Sequence, residues 1–189
     1  FGRVNYDYMG KYLVEASGRW DGTSRFASHD RWGFFPSASF GWRVSDEKFF
    51  EPLLRFWDNA KLRFSLGSLG NQQVDTYAYF NEISTDNPMS YTFDGLNKAY
   101  YAKVSNPKSA SLTWETITTY NLGADLSFLR NRLTVTADYF IRYTKNMLTH
   151  SLTLPAVFGA EAPKANCADL RTNGWELYVG WNDQFKVAG

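Results

Sequence analysis

Along most of this chain apolar side chains return at every second position, and a period of two belongs to extended strand rather than helix. Tyr12, Val14, Ala16, Gly18 and Trp20 share one parity against Glu15, Ser17, Arg19 and Asp21. Phe34, Pro36, Ala38, Phe40, Trp42 and Val44 repeat the pattern, as do Leu62, Phe64 and Leu66. It returns in Tyr120–Phe128, in Leu133–Tyr143 and in Trp175–Trp181. With Val4, Tyr6 and Tyr8 this predicts seven strands, each with one apolar and one polar face; Leu13 and Phe140 are the exceptions. A chain so patterned must lay its apolar face against something. With 18% aromatic residues, that face is unusually rich in rings.

Two settings satisfy the pattern. In a soluble sandwich the apolar face meets a second sheet. In an outer-membrane barrel it meets lipid, and the polar face lines the lumen. The connections favour the barrel. Tight turns are predicted at Met9-Gly10-Lys11 and Leu129-Arg130-Asn131, and a medium link at 45–59. That link reads as a short helix, with Ser45-Asp46 as cap and Phe49, Phe50, Leu53, Leu54 and Trp57 at helical spacing. The links at roughly 21–32, 71–112 and 148–169 are long. In a meander these alternate, so every long link lies on one side, the asymmetry of a transmembrane barrel. Pro36 cannot donate to a ladder and predicts a local bulge or break. Trp20, Trp42, Phe128 and Trp181 fall near strand ends, where an aromatic girdle is expected. Arg63, Asp125, Asp138 and Arg142 fall on the inward parity.

Composition excludes several classes. Lys and Arg number 20 against 19 acidic residues, a net charge of +1 that lacks the basic excess of a nucleic-acid binder. No stretch of 18 apolar residues offers a transmembrane helix. The single Cys167 excludes a disulfide framework or multi-thiolate site. His29 and His150 read as solvated loop histidines, far apart and without ligand spacing. Ser105-Asn106-Pro107-Lys108 has the Ser-x-x-Lys spacing of an acyl enzyme but lacks the helix and partner motifs that chemistry needs. Gly67-Ser68-Leu69-Gly70 lacks the third glycine and the lysine of a phosphate loop. No catalytic residue, metal site or cofactor is expected.

Specific segments resemble the SusC/RagA-like TonB-dependent outer-membrane transporters of Bacteroidetes-type bacteria. They include Asn5-Tyr6-Asp7-Tyr8, Arg19-Trp20-Asp21-Gly22, Arg31-Trp32-Gly33-Phe34-Phe35-Pro36 and Gly41-Trp42-Arg43-Val44. Further on come Gly70-Asn71-Gln72, Trp114-Glu115-Thr116, Asn131-Arg132-Leu133, Asp138-Tyr139-Phe140 and Leu170-Arg171-Thr172-Asn173-Gly174-Trp175-Glu176. The resemblance implies an all-β, antiparallel meander forming part of the wall of a large transmembrane β-barrel, with long extracellular loops. Residues 1–189 would be a partial barrel domain, with the plug domain, TonB box and barrel-closing strand outside it. It implies import of glycan or peptide oligomers without enzymatic activity. The implied partners are a SusD-like surface lipoprotein, the protein's own plug and remaining barrel strands, outer-membrane lipid and, through other parts of the protein, the TonB complex.

The 71–112 link mixes aromatic residues with amides and carboxylates, as sugar and peptide sites do. Asn71, Tyr77, Tyr79, Tyr100 and Tyr101 are the candidate substrate contacts, and Tyr91 and Phe93 belong to the same set of rings. Packing of these rings within the loop is the alternative. Two rivals remain for the whole chain: a soluble β-sandwich carbohydrate-binding module, and an outer-membrane barrel enzyme, which would need a Ser/His pair in the lumen.

Overall fold

A computed structural model of the chain describes residues 1–92, 95–109, 112–150 and 154–184. Phe93 lies outside the described residues, as does the side chain of Tyr91. The described residues form nine strands: β1 (Gly2–Tyr8), β2 (Tyr12–Gly22), β3 (Trp32–Arg43), β4 (Trp57–Asn71), β5 (Ile83–Thr92), β6 (Lys98–Val104), β7 (Glu115–Phe128), β8 (Leu133–His150) and β9 (Lys164–Trp181). Seven of them pair as one antiparallel meander in the order β1-β2-β3-β4-β7-β8-β9, and β5 and β6 form a separate hairpin.

Register carries the central result. Tyr6, Val14, Phe40, Phe64, Leu122, Tyr139 and Trp175 stand opposite one another across all six ladders. One residue along, Asp7, Leu13, Gly41, Arg63, Gly123, Asp138 and Glu176 form the neighbouring row on the other face. A slip of one residue in any ladder would mix the two faces, so the alternation read in each strand is also what fixes its pairing.

Among the described residues no second sheet covers the apolar face. Every member of the Tyr6–Trp175 row is at least 41% exposed, and Trp175 reaches 75%. The buried apolar side chains among the described residues are Phe26, Phe35, Phe50, Ala60, Leu112 and Trp114, and none belongs to that row. The sandwich alternative fails on this observation. Strands β2 to β4 and β7 to β9 have 11 to 18 residues, enough to cross a bilayer at a tilt of about 45°, which takes roughly 9–11.

The connections sort by side as expected. The turns 9–11 and 129–132 and the 44–56 link lie at one rim; the 23–31, 72–114 and 151–163 connections lie at the other. Leu129, Arg130 and Asn131 all have φ near +60°, the left-handed conformation that lets so tight a turn close. Trp42, Phe128 and Trp181 stand at the short-link ends of their strands and Trp20 at the opposite end, so a girdle forms at both rims.

Several expectations need correction. The 45–59 link is not an α-helix. It is two 3-10 turns, Val44–Asp46 and Lys48–Leu53, and neither has a side-chain cap. Pro52 inside the second removes a donor, and Ser45 is instead buried against Asn59 (3.3 Å). Pro36 makes no bulge against β2, where the register runs unbroken through Gly18↔Pro36. The expected break falls on the other side instead, where the β3–β4 ladder starts only after Pro36, at Ser37↔Gly67. The 71–112 segment contains the β5–β6 hairpin, hidden by a run of Ser, Thr, Asp, Asn and Pro without alternation. Finally, β8 and β9 extend further toward the long-link rim than predicted, which places His150 and Cys167 on strands rather than in loops. Outer-face positions there are polar (Lys145, Arg171, Asn173), because strands of 18 residues, about 60 Å, outreach the hydrocarbon.

Candidate functional site

The polar face is the surface that can meet anything passing through a closed wall. Its centre is an ion network across three strands. The Arg63 guanidinium donates to both carboxylate oxygens of Asp125, at 2.7 and 3.1 Å. It also donates to Asp138, at 3.1 and 3.2 Å. Thr136 adds a hydroxyl donor to Asp125 at 3.2 Å. Gly123 makes this possible: a Cβ there would lie 2.8 Å from the guanidinium nitrogen. Three of the four inward charges read from the sequence thus converge. The fourth, Arg142, lies instead over the Phe140 ring at 5.7 Å. Phe140, an apolar residue on the polar parity, is housed the same way: Gly174 opposite leaves room for its ring.

Toward the long-link rim the polar face carries an aromatic cluster. Phe35 projects inward beside Gly33 and Gly70, where added side chains would collide with its ring. Phe26, from the β2–β3 connection, and Leu112 and Trp114, just before β7, close over it. The Phe26 and Phe35 rings meet Trp114 edge-on at 5.6 and 5.3 Å. Val74, Ala78 and Leu148 pack around them. Hydrogen bonds tie the same roots together. The Trp114 indole N–H donates to the Arg31 carbonyl (3.2 Å), and Arg25 donates to the Val74 carbonyl (2.6 Å). The Asn166 amide donates to the carbonyls of Thr113 (2.9 Å) and Asn146 (2.7 Å). The 23–31 and 72–114 connections are therefore anchored at one inner-rim knot, and the strand ends that flank the third, at Leu148 and Asn166, are tied to it. Sequence reasoning missed it; the available signal was Phe35 standing on the polar parity, two residues after Gly33.

The five candidate contacts do not converge. Asn71 ends β4, where its amide faces Glu115 Oε1 at 3.5 Å and its oxygen accepts from the Gln73 backbone N–H at 3.1 Å. Tyr77 and Tyr79 share one turn, closed by the Phe80 N–H donating to the Tyr77 carbonyl (3.0 Å). Tyr100 and Tyr101 are neighbours on β6, so strand alternation sends them to opposite faces of the hairpin. Tyr77 and Tyr100 are widely exposed, Tyr79 half-buried.

The remaining groups have structural partners. His29 pairs with Asp30 (2.9 Å) and His150 Nδ1 faces the Ala162 carbonyl (3.0 Å). Ser105 accepts from the Glu82 backbone N–H (3.2 Å). Among the described residues no cluster of His, Cys, Asp and Glu could hold a metal ion. At the short-link rim, Glu47 accepts from the Tyr12 hydroxyl (2.6 Å) and the Trp42 indole (3.4 Å) and meets Lys11 (3.4 Å). The Tyr12 bond, with lesser help from Trp42 and Lys11, holds its carboxyl below the usual carboxylate range.

The whole chain, residues 1–189, matches the family model described as TonB dependent receptor-like, beta-barrel. It is 35% identical to the TonB-dependent receptor SusC of Bacteroides thetaiotaomicron over 95% of this chain and 18% of that protein. It is 33% identical to TonB-dependent receptor P39 of Formosa agariphila over 95% of this chain and 16% of that one. The chain thus spans about a sixth of the length of these relatives. The RagAB peptide importer in its closed-closed state superposes with a TM-score of 0.83 at 25% identity, over 97% of this chain and 19% of the other. These relatives are receptors and transporters, not enzymes, and their barrels reside in the bacterial outer membrane. With its lipid-type outer face, its one-sided long connections and its match over every residue, the chain belongs to the TonB-dependent receptor β-barrel family, on the SusC/RagA-like side.

Proposed function

We propose that the protein containing these residues is a TonB-dependent importer of oligomeric nutrients, glycans or peptides, and that it works with a SusD-like surface lipoprotein over its long-link rim. One observation carries this reading: two long connections and the strand ends that flank the third meet in one knot at the inner rim of a wall whose apolar face is exposed. Such a mouth presents a shaped, rigidly rooted surface to a large solute or a capping protein. The exposed rings of Tyr77 and Tyr100, with Tyr79 and Tyr101, are the contacts proposed for substrate or partner. Asn71 supports the loop from its foot. The plug and the TonB-contacting segment belong to other parts of the protein in this reading.

Uptake of fluorescently labelled oligosaccharides and oligopeptides by cells carrying the full-length protein tests it. Removing residues 76–105 should abolish uptake of the oligomers that the parent imports, while the barrel keeps its heat-dependent gel mobility. Loss of TonB should have the same effect. Uptake unchanged by either would overturn the reading. Co-purification of a surface lipoprotein, lost with the same deletion, tests the partnership.

A further inference from the structure

A pocket of about 170 Å³ lies between the segment after β4, the segment before β7 and the start of β9. Its floor is apolar: Val74, Ala78 and Leu112 belong to the knot built on Phe35, so the pocket sits on the inner side of the rim. Two lysines line it from different elements. Alternation on β9 places Lys164 on the same face as Asn166, whose side chain is fixed against Thr113 at 2.9 and 3.0 Å. Lys108 enters from the segment before β7, its backbone N–H held by Asn81 at 3.0 Å. Its ammonium stands 3.9 Å from Glu82, the far limit of an ion pair, and Lys164 has no ion pair among the described residues. Gln73, Asp75 and Ser109 add to the polar lining.

Lys164 without an ion pair, and Lys108 held by Glu82 only at the far limit of one, leave two ammonium groups open to an incoming anion, and the pocket's apolar floor reduces the screening of their charge. We propose that it binds a carboxylate of the transported oligomer, carried beside a hydrogen-bond donor: Lys108 and Lys164 take the carboxylate, and Asp75 accepts from the donor. A uronic acid presents such a carboxylate beside hydroxyl groups. An acidic or C-terminal amino-acid residue presents one beside an amide N–H. The volume holds one residue of either kind, with the rest of the oligomer in the lumen. The inference rests on the importer reading, since that brings an oligomer to this rim.

The test is calorimetric titration of the full-length protein in detergent with trigalacturonate and triglutamate, each beside a neutral counterpart, maltotriose and N-acetylated, C-terminally amidated triglutamine. At least one acidic probe should bind about tenfold or more tighter than its counterpart, and which one does so identifies the source of the carboxylate. Lys108→Met and Lys164→Met should each weaken that probe by about tenfold. Asp75→Asn should tighten it, because the amide oxygen still accepts while the like charge is gone; this variant keeps the test decisive even if a lysine variant misfolds. Equal binding of acidic and neutral probes, no binding of either acid, or lysine variants that bind as the parent would each overturn the pocket. Binding as described with no cellular uptake would instead overturn the importer reading alone.

Discussion

Replacing Ala137 by arginine puts a guanidinium at mid-height on the outer face. Ala137 is the third of six outer positions on β8 between Leu133 and Tyr143, flanked by Ala124 on β7 and Leu177 on β9. It faces no protein layer, so the arginine can escape only by reaching along the wall to a rim. A cationic residue at the midplane of a transmembrane barrel costs about 2–4 kcal/mol, and about 0–1 kcal/mol near the interfaces. The folding equilibrium should fall by roughly thirtyfold to a thousandfold. Val135→Arg, one outer position nearer the rim where Trp181 pairs with Leu133, should cost less. Thr134→Arg faces the lumen and should lie within about 0.5 kcal/mol of the parent, as surface substitutions do. Urea titration of the full-length protein folded into lipid vesicles, followed by tryptophan fluorescence and gel mobility, gives all three values. Equal costs at 134 and 137, or a larger cost at 134, would refute the assignment of faces.

Other variants probe the inner face and the rims. Arg63→Met leaves Asp125 and Asp138 facing each other across Gly123; it should cost about 1–3 kcal/mol, between the exposed and buried limits for ion pairs, in the same urea titration. Arg63→Lys should recover only part of this, since an ammonium cannot repeat the two-pronged contact. Phe35→Ala empties the knot at the root of the 23–31 and 72–114 connections, costs about 3–5 kcal/mol, and should speed proteolytic cleavage within 72–114. Glu47 has a folded-state pKa below its unfolded value, so its contribution is present above the ordinary carboxylate range and is lost as pH falls through the depressed value. Glu47→Gln should therefore lower stability at neutral pH and converge with the parent in acid; a constant difference across that range would contradict the Tyr12–Glu47 bond as its cause.

The seven-strand meander was legible because hydrocarbon on one side and water on the other impose opposite chemistry on alternate residues, from Val14 and Phe40 to Tyr139 and Leu177. Where that contrast ends, legibility ended with it. Above the hydrocarbon, Lys145 and Arg171 erased the alternation, and the ends of β8 and β9 were read as loop. The β5–β6 hairpin lies wholly outside the membrane span and left no period at all. The inner face was legible as charge but not as arrangement. Arg63, Asp125 and Asp138 were identified as inward, yet their convergence depends on the six ladders and on Gly123 leaving space. The Phe35 knot joins residues as distant in sequence as Phe26 and Trp114, and no local pattern announces such a contact.

Spin labels placed singly from residue 133 to 143 of the full-length protein in lipid vesicles probe the lipid face itself. Collision rates with oxygen, which dissolves in hydrocarbon, should peak at 135, 137, 139 and 141. Those with a water-soluble nickel chelate should peak at 134, 136, 138 and 142. If labels at 137 and 139 were shielded from both reagents, or met the chelate as freely as label 136, the outer face would not be lying against lipid and the barrel-wall account would fail.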